Sequence, residues 1–213
     1  MKILKKSEIP APAIERLCRI YTLISSLHEK GEDSISSSRI GELLDVGAHN
    51  IRKDISFLGE TGTSGSGYNI SKLKDRINHA FLFNIHRKAC IVGLGGLGGA
   101  ILNYKKLLIN NFDIVAGFDS NINKLDTLKT SIAVYPSYTI KEIVQKENIE
   151  LAVITVPENS AREISKRLIE AGIKGIINFS PVILNSGNSN VFIKNIDLVD
   201  EFRHLAALIS LHN

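Results

Sequence analysis

The apolar positions of the chain change rhythm once, near residue 88. Before that point they recur at three- and four-residue steps, the period of helices packed on one side. After it they gather into short continuous runs separated by amphipathic stretches, the pattern of buried strands alternating with helices. In the first region "AIERLCRIYTLISSLHEKG" places Ile14, Leu17, Tyr21, Ile24 and Leu27 on one helical side, opened by Pro10 and Pro12 and ended by Gly31. A serine cluster suited to capping then precedes a short helix carrying Ile40, Leu43 and Leu44. A tight "DVG" turn follows, and the spacing predicts a second helix from about Ala48 to Leu58. This is the order of a helix-turn-helix. "GETGTSGSGYNI" is too rich in glycine for a helix and predicts a small hairpin, which would make the unit a winged helix. A further helix is predicted from about Ser71 to Phe83.

Beyond the boundary, "ACIVG", a helix over 96–109, "DIVAGFD", a helix over about 139–147, "LAVITV", a helix over 159–171 and "GIINFSPV" alternate strand with helix. That alternation predicts an α/β doubly wound parallel sheet. The tail adds one strand and a terminal helix whose Leu198, Phe202, Leu205, Leu208 and Ile209 need a surface to cover them, for which a second copy of the chain is a natural candidate. The expected organisation is a winged-helix domain over 1–86, a nucleotide-binding domain over 87–195 and a dimerisation helix over 196–213.

Composition narrows the class. A chain of 213 residues that is 44% hydrophobic can bury a core in one large domain or two small ones. No apolar run approaches the length of a membrane helix, and Met1 to Lys6 carries charge with no apolar stretch behind it, so the expectation is a cytoplasmic protein. Cys18 and Cys90 lie in a helical pattern and an apolar strand, and support neither a disulfide framework nor a zinc site. The net charge of +4 is unevenly placed: residues 1–88 hold 14 Lys+Arg against 10 Asp+Glu, and the remainder is balanced at 12 each. The excess therefore sits on the helical part, where it favours a polyanionic partner.

Two stretches carry candidate chemistry. In "IVGLGGLGGAIL" (91–102), Gly93, Gly95 and Gly98 stand between a strand and a helix. Glycines at those positions serve a tight turn, close approach of a pyrophosphate and close packing of helix on strand. Asp119 ends the second strand 21 residues after Gly98, where a carboxylate can accept hydrogen bonds from a ribose 2′-hydroxyl and would repel a 2′-phosphate. The pair points to NAD(H) over NADP(H), although a cofactor-free sheet could use the same glycines as a tight turn. "TVPENSA" (155–161) and "NFSPV" (178–182) end later strands on the rim where open sheets hold ligands. On the helix from Ala48, Ile51, Ile55 and Leu58 form the core stripe and leave His49, Asn50, Arg52, Lys53 and Ser56 turned elsewhere. Arg and Lys donate to guanine or phosphate and Asn pairs with adenine, so this helix suits the reading of DNA. A dehydrogenase needs a second-substrate site and a proton donor or acceptor. Only about thirty residues follow "NFSPV", and His204 on the terminal helix is an isolated histidine. An enzyme is not expected.

With "IRKDISFLG" (51–59), "GSGY" (65–68), "IVGLGGLGGAIL", "GFD" (117–119), "TVP" (155–157), "AGIKGIINFSPV" (171–182) and "NIDL" (195–198) together, the chain resembles, end to end, the Rex family of redox-sensing transcriptional repressors. The resemblance implies a homodimer with a winged helix on each subunit, a Rossmann domain that senses the NADH/NAD⁺ ratio, and a C-terminal helix exchanged between subunits. It implies binding to an A/T-rich inverted repeat in double-stranded operator DNA, permitted by NAD⁺ and released by NADH. By motif position Arg52 and Lys53 would meet DNA, joined by His49 and Asn50 of the same outward face, with Ser64, Gly65, Ser66, Gly67 and Tyr68 as the wing. Gly93, Leu94, Gly95, Gly96, Leu97, Gly98 and Asp119 would hold the adenosine and pyrophosphate end. Thr155, Val156, Pro157, Asn178 and Phe179 would lie on the cofactor side of the later strands, toward the nicotinamide. Tyr104 and Asp197 match positions that take part in the family's redox switch at the subunit interface. Two departures stand out: the family usually has arginine where this chain has Ser64 and Thr22. The first removes a wing cation suited to a narrow minor groove. The second removes a salt-bridge partner expected for Asp197. A small NAD-dependent oxidoreductase with a fused regulatory domain, and a paralogue that has lost its redox response, remain the alternative expectations.

Overall fold

The computed structural model describes residues 9–59, 67–104, 107, 110–187 and 189–212. They fall into two compact units, residues 1–85 and 86–213.

The first unit is helical. Helix α1 (Ala11–Glu29) enters from Pro10 and buries Ala13, Leu17, Ile20, Ile24 and Leu27. The periodicity placed Ile14 and Tyr21 in that stripe, but Ile14 is 37% exposed while Ala13 and Ile20 are buried. Alternating steps of four and three residues keep 13, 17, 20, 24 and 27 closest to one line on the helix, and 14 and 21 fall on its flank. Strand β1 (Ser34–Ile35) is followed by α2 (Ser37–Leu44), capped by the Ser36 hydroxyl, which accepts from the Arg39 backbone N–H at 3.1 Å. Asp45 in the left-handed conformation (φ 54°) closes α2, and α3 (Ala48–Ser56) begins three residues later. The turn is tight because Gly41 lets the chain fold back: a Cβ there would lie 2.4 Å from the Val46 carbonyl oxygen. Strand β2 (Tyr68–Asn69) pairs antiparallel with β1, Ile35 opposite Tyr68, and Asn69 then caps α4 (Ile70–Phe81). Tyr68, assigned from the sequence to the wing, is thus a strand partner of Ile35. The rest of the expected wing, including Ser64, Gly65 and Ser66, lies outside the described residues.

The second unit is a six-stranded, wholly parallel sheet. In chain order its strands are β3 (Arg87–Val92), β4 (Phe112–Asp119), β5 (Val134–Pro136), β6 (Leu151–Ile154), β7 (Gly175–Asn178) and β8 (Phe192–Asn195). In space the order is β5-β4-β3-β6-β7-β8, the doubly wound arrangement in which the strand order reverses between β3 and β6. Helices α5 (Gly96–Leu102), α6 (Ile122–Thr127), α7 (Ile140–Glu147) and α8 (Glu158–Ala171) make the crossovers. The short α6 and β5 were not anticipated, because neither carries an apolar run of its own. The helix expected over 96–109 ends at Leu102, and most of its remainder lies outside the described residues. One core joins Cys90, Val92, Phe118 and Ile176 with α7 and α8, and a smaller one joins Ile91, Leu94, Leu102 and Val153 on the other face. Burial in β3 pushes the Cys90 thiol up to about 12, so it stays protonated and apolar in character. At the far end of the sheet Glu150 receives Lys174 and Arg87, and these two partners hold its carboxyl below the usual range.

The final helix α9 (Leu198–His212) buries none of its residues, and Leu198, Phe202, Leu205, Leu208 and Ile209 are all exposed. The β7–β8 face turned away from α8 is also uncovered: Ile177 is 42% and Phe192 84% exposed.

Candidate DNA-reading surface and nucleotide crevice

In the helical unit the second helix of the turn, α3, presents the expected face. His49, Asn50, Arg52, Lys53 and Ser56 are exposed, while Ile51 and Ile55 are buried beneath them. The Arg52 guanidinium donates to the Ser37 hydroxyl at 3.1 Å, which steadies it at the start of α2. Tyr68 stands close enough to feel that charge: burial raises its phenol pKa and Arg52 works against the rise. Gly67 before it has φ 77°, and a Cβ there would lie 2.9 Å from the Ile35 carbonyl oxygen, so glycine is needed where the chain rejoins β1.

What holds α3 was not legible in the pattern. Asp54 sits on the inner side of α3, 1% exposed, and takes a bidentate pair of hydrogen bonds from Arg16 of α1: Nε to Oδ2 at 2.6 Å and Nη2 to Oδ1 at 2.9 Å. Burial of a charge is tolerable only when it is paired in this way. A polar residue in "RKDIS" gives no periodic signal to separate it from its exposed neighbours.

In the sheet unit the crevice opens where the strand order reverses. Gly93 leaves β3 with φ 94°, and a Cβ on it would meet the Thr155 carbonyl oxygen and Val156 Cγ1, each at 2.8 Å. A Cβ on Gly98 would lie 1.9 Å from the Gly93 carbonyl oxygen, so α5 can sit against the turn only through glycine. Gly95 and Gly96 face open space, with nothing within 4 Å of a Cβ at either. Gly93 and Gly98 are thus closed in by neighbouring atoms, while Gly95 and Gly96 border open space. Leu94 is a core residue, whereas Leu97 is exposed.

The polar residues around the crevice are occupied with shaping it. Asp119 is buried at the end of β4; its carboxylate accepts from the Leu94 N–H at 2.8 Å and the Asn121 N–H at 2.8 Å, with Lys124 Nζ 3.7 Å away. A carboxylate has about four acceptor positions. Two are taken here, which leaves capacity for a ribose hydroxyl. The Thr155 hydroxyl donates to the Gly93 carbonyl at 2.6 Å and so locks the turn. Pro157 is exposed at the head of α8, beside an open depression of ≈ 420 Å³ lined with Glu158 and Asn159. Asn178 is fully buried: its amide N–H₂ donates to the Val182 carbonyl at 2.7 Å and the Asn195 side chain at 2.8 Å, and its oxygen accepts from the Ser180 N–H and hydroxyl. The side chain fixes the loop after β7 and is turned into the protein. Phe179 packs on the smaller core beside Ile91, Leu94 and Val153. Tyr104 is exposed after α5. Asp197 caps the start of α9, accepting from the Val199 N–H at 2.8 Å. Thr22 is exposed on α1, with its hydroxyl turned back to the Cys18 carbonyl. Among the described residues there is no cluster of groups able to hold a metal ion.

Comparison with known proteins agrees with both halves. Residues 8–56 match the family described as putative DNA-binding protein N-terminus, and residues 84–182 match the CoA binding domain family. The redox-sensing transcriptional repressor Rex of Oenococcus oeni is 38% identical over 197 residues, covering 90% of this chain and 89% of its own length. That of Thermosipho africanus is 33% identical, covering 94% and 96%. Among solved structures, RSP in complex with β-NAD⁺ and operator DNA aligns with a TM-score of 0.87 at 26% identity over 96% of this chain and 94% of that one. RSP with β-NADH aligns at 0.84 and 25% identity, covering 96% of each. A helix-turn-helix joined to a doubly wound nucleotide-binding sheet defines a class of regulator that couples a nucleotide to DNA. Within that class, the chain belongs to the Rex family of redox-sensing transcriptional repressors, whose members are repressors and not enzymes.

Proposed function

We propose that the protein represses transcription as a homodimer on an A/T-rich inverted repeat and is released from it by NADH. The observation that carries this reading is the joining, in one chain, of an exposed basic and polar face on α3 to a glycine crevice at the strand reversal. His49, Asn50, Arg52 and Lys53 would meet DNA, the last two as donors to guanine or phosphate. Gly95 and Gly96 would admit the pyrophosphate at the start of α5, and Asp119 would accept from the adenosine ribose and exclude a 2′-phosphate. Bound NAD(H) supplies a nicotinamide whose oxidation state is the signal. Pro157, Glu158 and Asn159, with the loop that Asn178 shapes, would border it. The exposed apolar ridge of α9 and the uncovered Ile177 and Phe192 favour a second copy as their cover, with Tyr104 and Asp197 placed at that interface. Its place of action would be the cytoplasm, with the DNA; among the described residues no helix is long and apolar enough to cross a membrane.

The mechanism is a coupling free energy. If NADH binds the DNA-free arrangement better than the DNA-bound one, DNA weakens NADH by the same factor, typically about 1–3 kcal/mol. Fluorescence anisotropy of an A/T-rich inverted-repeat duplex and a scrambled control, at one fixed salt concentration, tests this with NADH, with NAD⁺ and with neither. Selective binding that NADH releases is expected. Selective binding indifferent to nucleotide would replace the sensor with a repressor that has lost its switch.

A further inference from the structure

An open cavity of ≈ 280 Å³ lies between α8 and the loop after β7. Arg162, Ser165, Lys166 and Ile169 reach it from one side of α8, at the i, i+3, i+4 and i+7 positions that share a helical face. Leu184 and Asn185 form the opposite wall. It is on the α8 side of the sheet, the side of the main core, whereas the uncovered Ile177 points to the other face.

Three features make this a built site. Ser165 is only 5% exposed, and among the described residues its hydroxyl has no hydrogen-bond partner. Ser165 lines the cavity, so its hydroxyl is open to a polar atom delivered there. Arg162 is a cation with no ion pair among the described residues, and Lys166 is held only loosely, 3.9 Å from Glu170. The facing wall is set in advance: Leu184 donates its N–H to the Asn195 side chain at 3.0 Å and accepts from it at 2.9 Å, while Asn178 holds the Val182 carbonyl. A wall already ordered lowers the entropy cost of binding.

We infer that this cavity binds a small monocarboxylate with a short apolar tail. Arg162 presents a planar fork suited to a carboxylate, with Lys166 and the Ser165 hydroxyl adding donors on the same side. Ile169 and the buried Leu184 receive the tail. Glu170 lines the cavity as well, so a second negative group would face a like charge, which sets monocarboxylates above dicarboxylates and phosphate.

Titration of the ¹⁵N-labelled full chain with butyrate, with succinate and with inorganic phosphate, followed by ¹H–¹⁵N chemical shifts, tests the site without reference to DNA or nucleotide. Saturable shifts at Ser165, Lys166 and Asn185 are expected with butyrate at a Kd of about 1–10 mM, the range open to so small a molecule. Arg162→Ala and Ser165→Ala should each weaken binding, the first by about 10-fold, as loss of a charge-assisted hydrogen bond does. Arg162 is exposed, so its substitution leaves the fold intact and the comparison interpretable. Absence of saturable shifts up to about 50 mM, a concentration far above that range, would overturn the site. So would unchanged butyrate affinity in Arg162→Ala. Succinate or phosphate binding as tightly as butyrate would overturn the monocarboxylate assignment.

Discussion

The α3 face and the glycine crevice build their surfaces in opposite ways. On α3 the outward side chains are nearly idle in the fold: apart from Arg52 on Ser37 and Ser56 on the Lys53 carbonyl, the face has no side-chain hydrogen bonds among the described residues. The helix is held from beneath by Ile51, Ile55 and the Arg16–Asp54 pair. In the crevice the relation is reversed. Thr155 and Asp119 spend their hydrogen bonds on the backbone that forms the opening, Asn178 divides its own between backbone and the Ser180 and Asn195 side chains, and Gly93 and Gly98 are there for what cannot fit beside them. A surface made of spare side chains can be altered without disturbing the fold; a surface made of backbone cannot.

That contrast breaks most sharply at Gly98. Gly98→Ala places a methyl group 1.9 Å from the Gly93 carbonyl oxygen, so α5 must move away from the turn. We expect loss of measurable NADH binding by calorimetry together with about 1–3 kcal/mol of destabilisation in denaturant unfolding, the range for overpacking. Retained NADH affinity would show that the crevice is separable from its packing. Asp54→Ala acts on the fold instead of the crevice, because it leaves Arg16 without its partner beneath α3. Removing one member of a buried pair costs about 3–5 kcal/mol, and the partial exposure of Arg16 lowers the expected loss to about 2–4 kcal/mol, read as a lower unfolding midpoint. By contrast Arg52→Ala should stay within about 0.5 kcal/mol of the parent in stability while weakening operator binding, with the salt dependence reduced by about one counterion if it meets phosphate. A stability loss as large as that of Asp54→Ala would place Arg52 in the fold as well as on the surface.

The smallest effect lies at the far end of the sheet. Lys174, and with it Arg87, holds the Glu150 carboxyl below its usual 4.5, so the folded form favours the ionised group. Its contribution is complete above that usual value and disappears as pH falls through the lower folded value. The wild type should therefore exceed Glu150→Gln in thermal stability at pH 7 by at most about 1 kcal/mol, and the two should converge as pH falls below about 4. A gap unchanged by acid would assign the difference to packing.

Legibility followed the same division. The strands of the sheet other than β5, with α7 and α8, were readable from apolar runs or a clean helical stripe, and Cys90 was readable as a small hydrophobe for the same reason. The glycine turn was readable because few residues tolerate a carbonyl at such distances. The outward face of α3 could be found by subtracting its core positions. Asp54 could not, because a buried charge announces itself only through Arg16, 38 residues earlier in the chain. Nor could the inward commitment of Asn178, whose partners Ser180, Val182 and Asn195 come together only when β7 and β8 are paired. The phase of α1 slipped by one position because Ala13 is small and Ile20 has apolar Tyr21 beside it as a rival.

The sequence alone determined the longer helices and most of the sheet strands, the change from helical unit to parallel sheet, the place of the glycine turn and the family, because each rests on residue type at short range. Tertiary structure decided which polar groups face solvent and which hold the backbone, and which helix face is buried. It also brought Arg162 and Ser165 to the same cavity as Leu184 and Asn185. Those outcomes depend on desolvation and on partners distant in the chain, and a side chain's neighbours across a sheet or between helices exist only once the chain has folded.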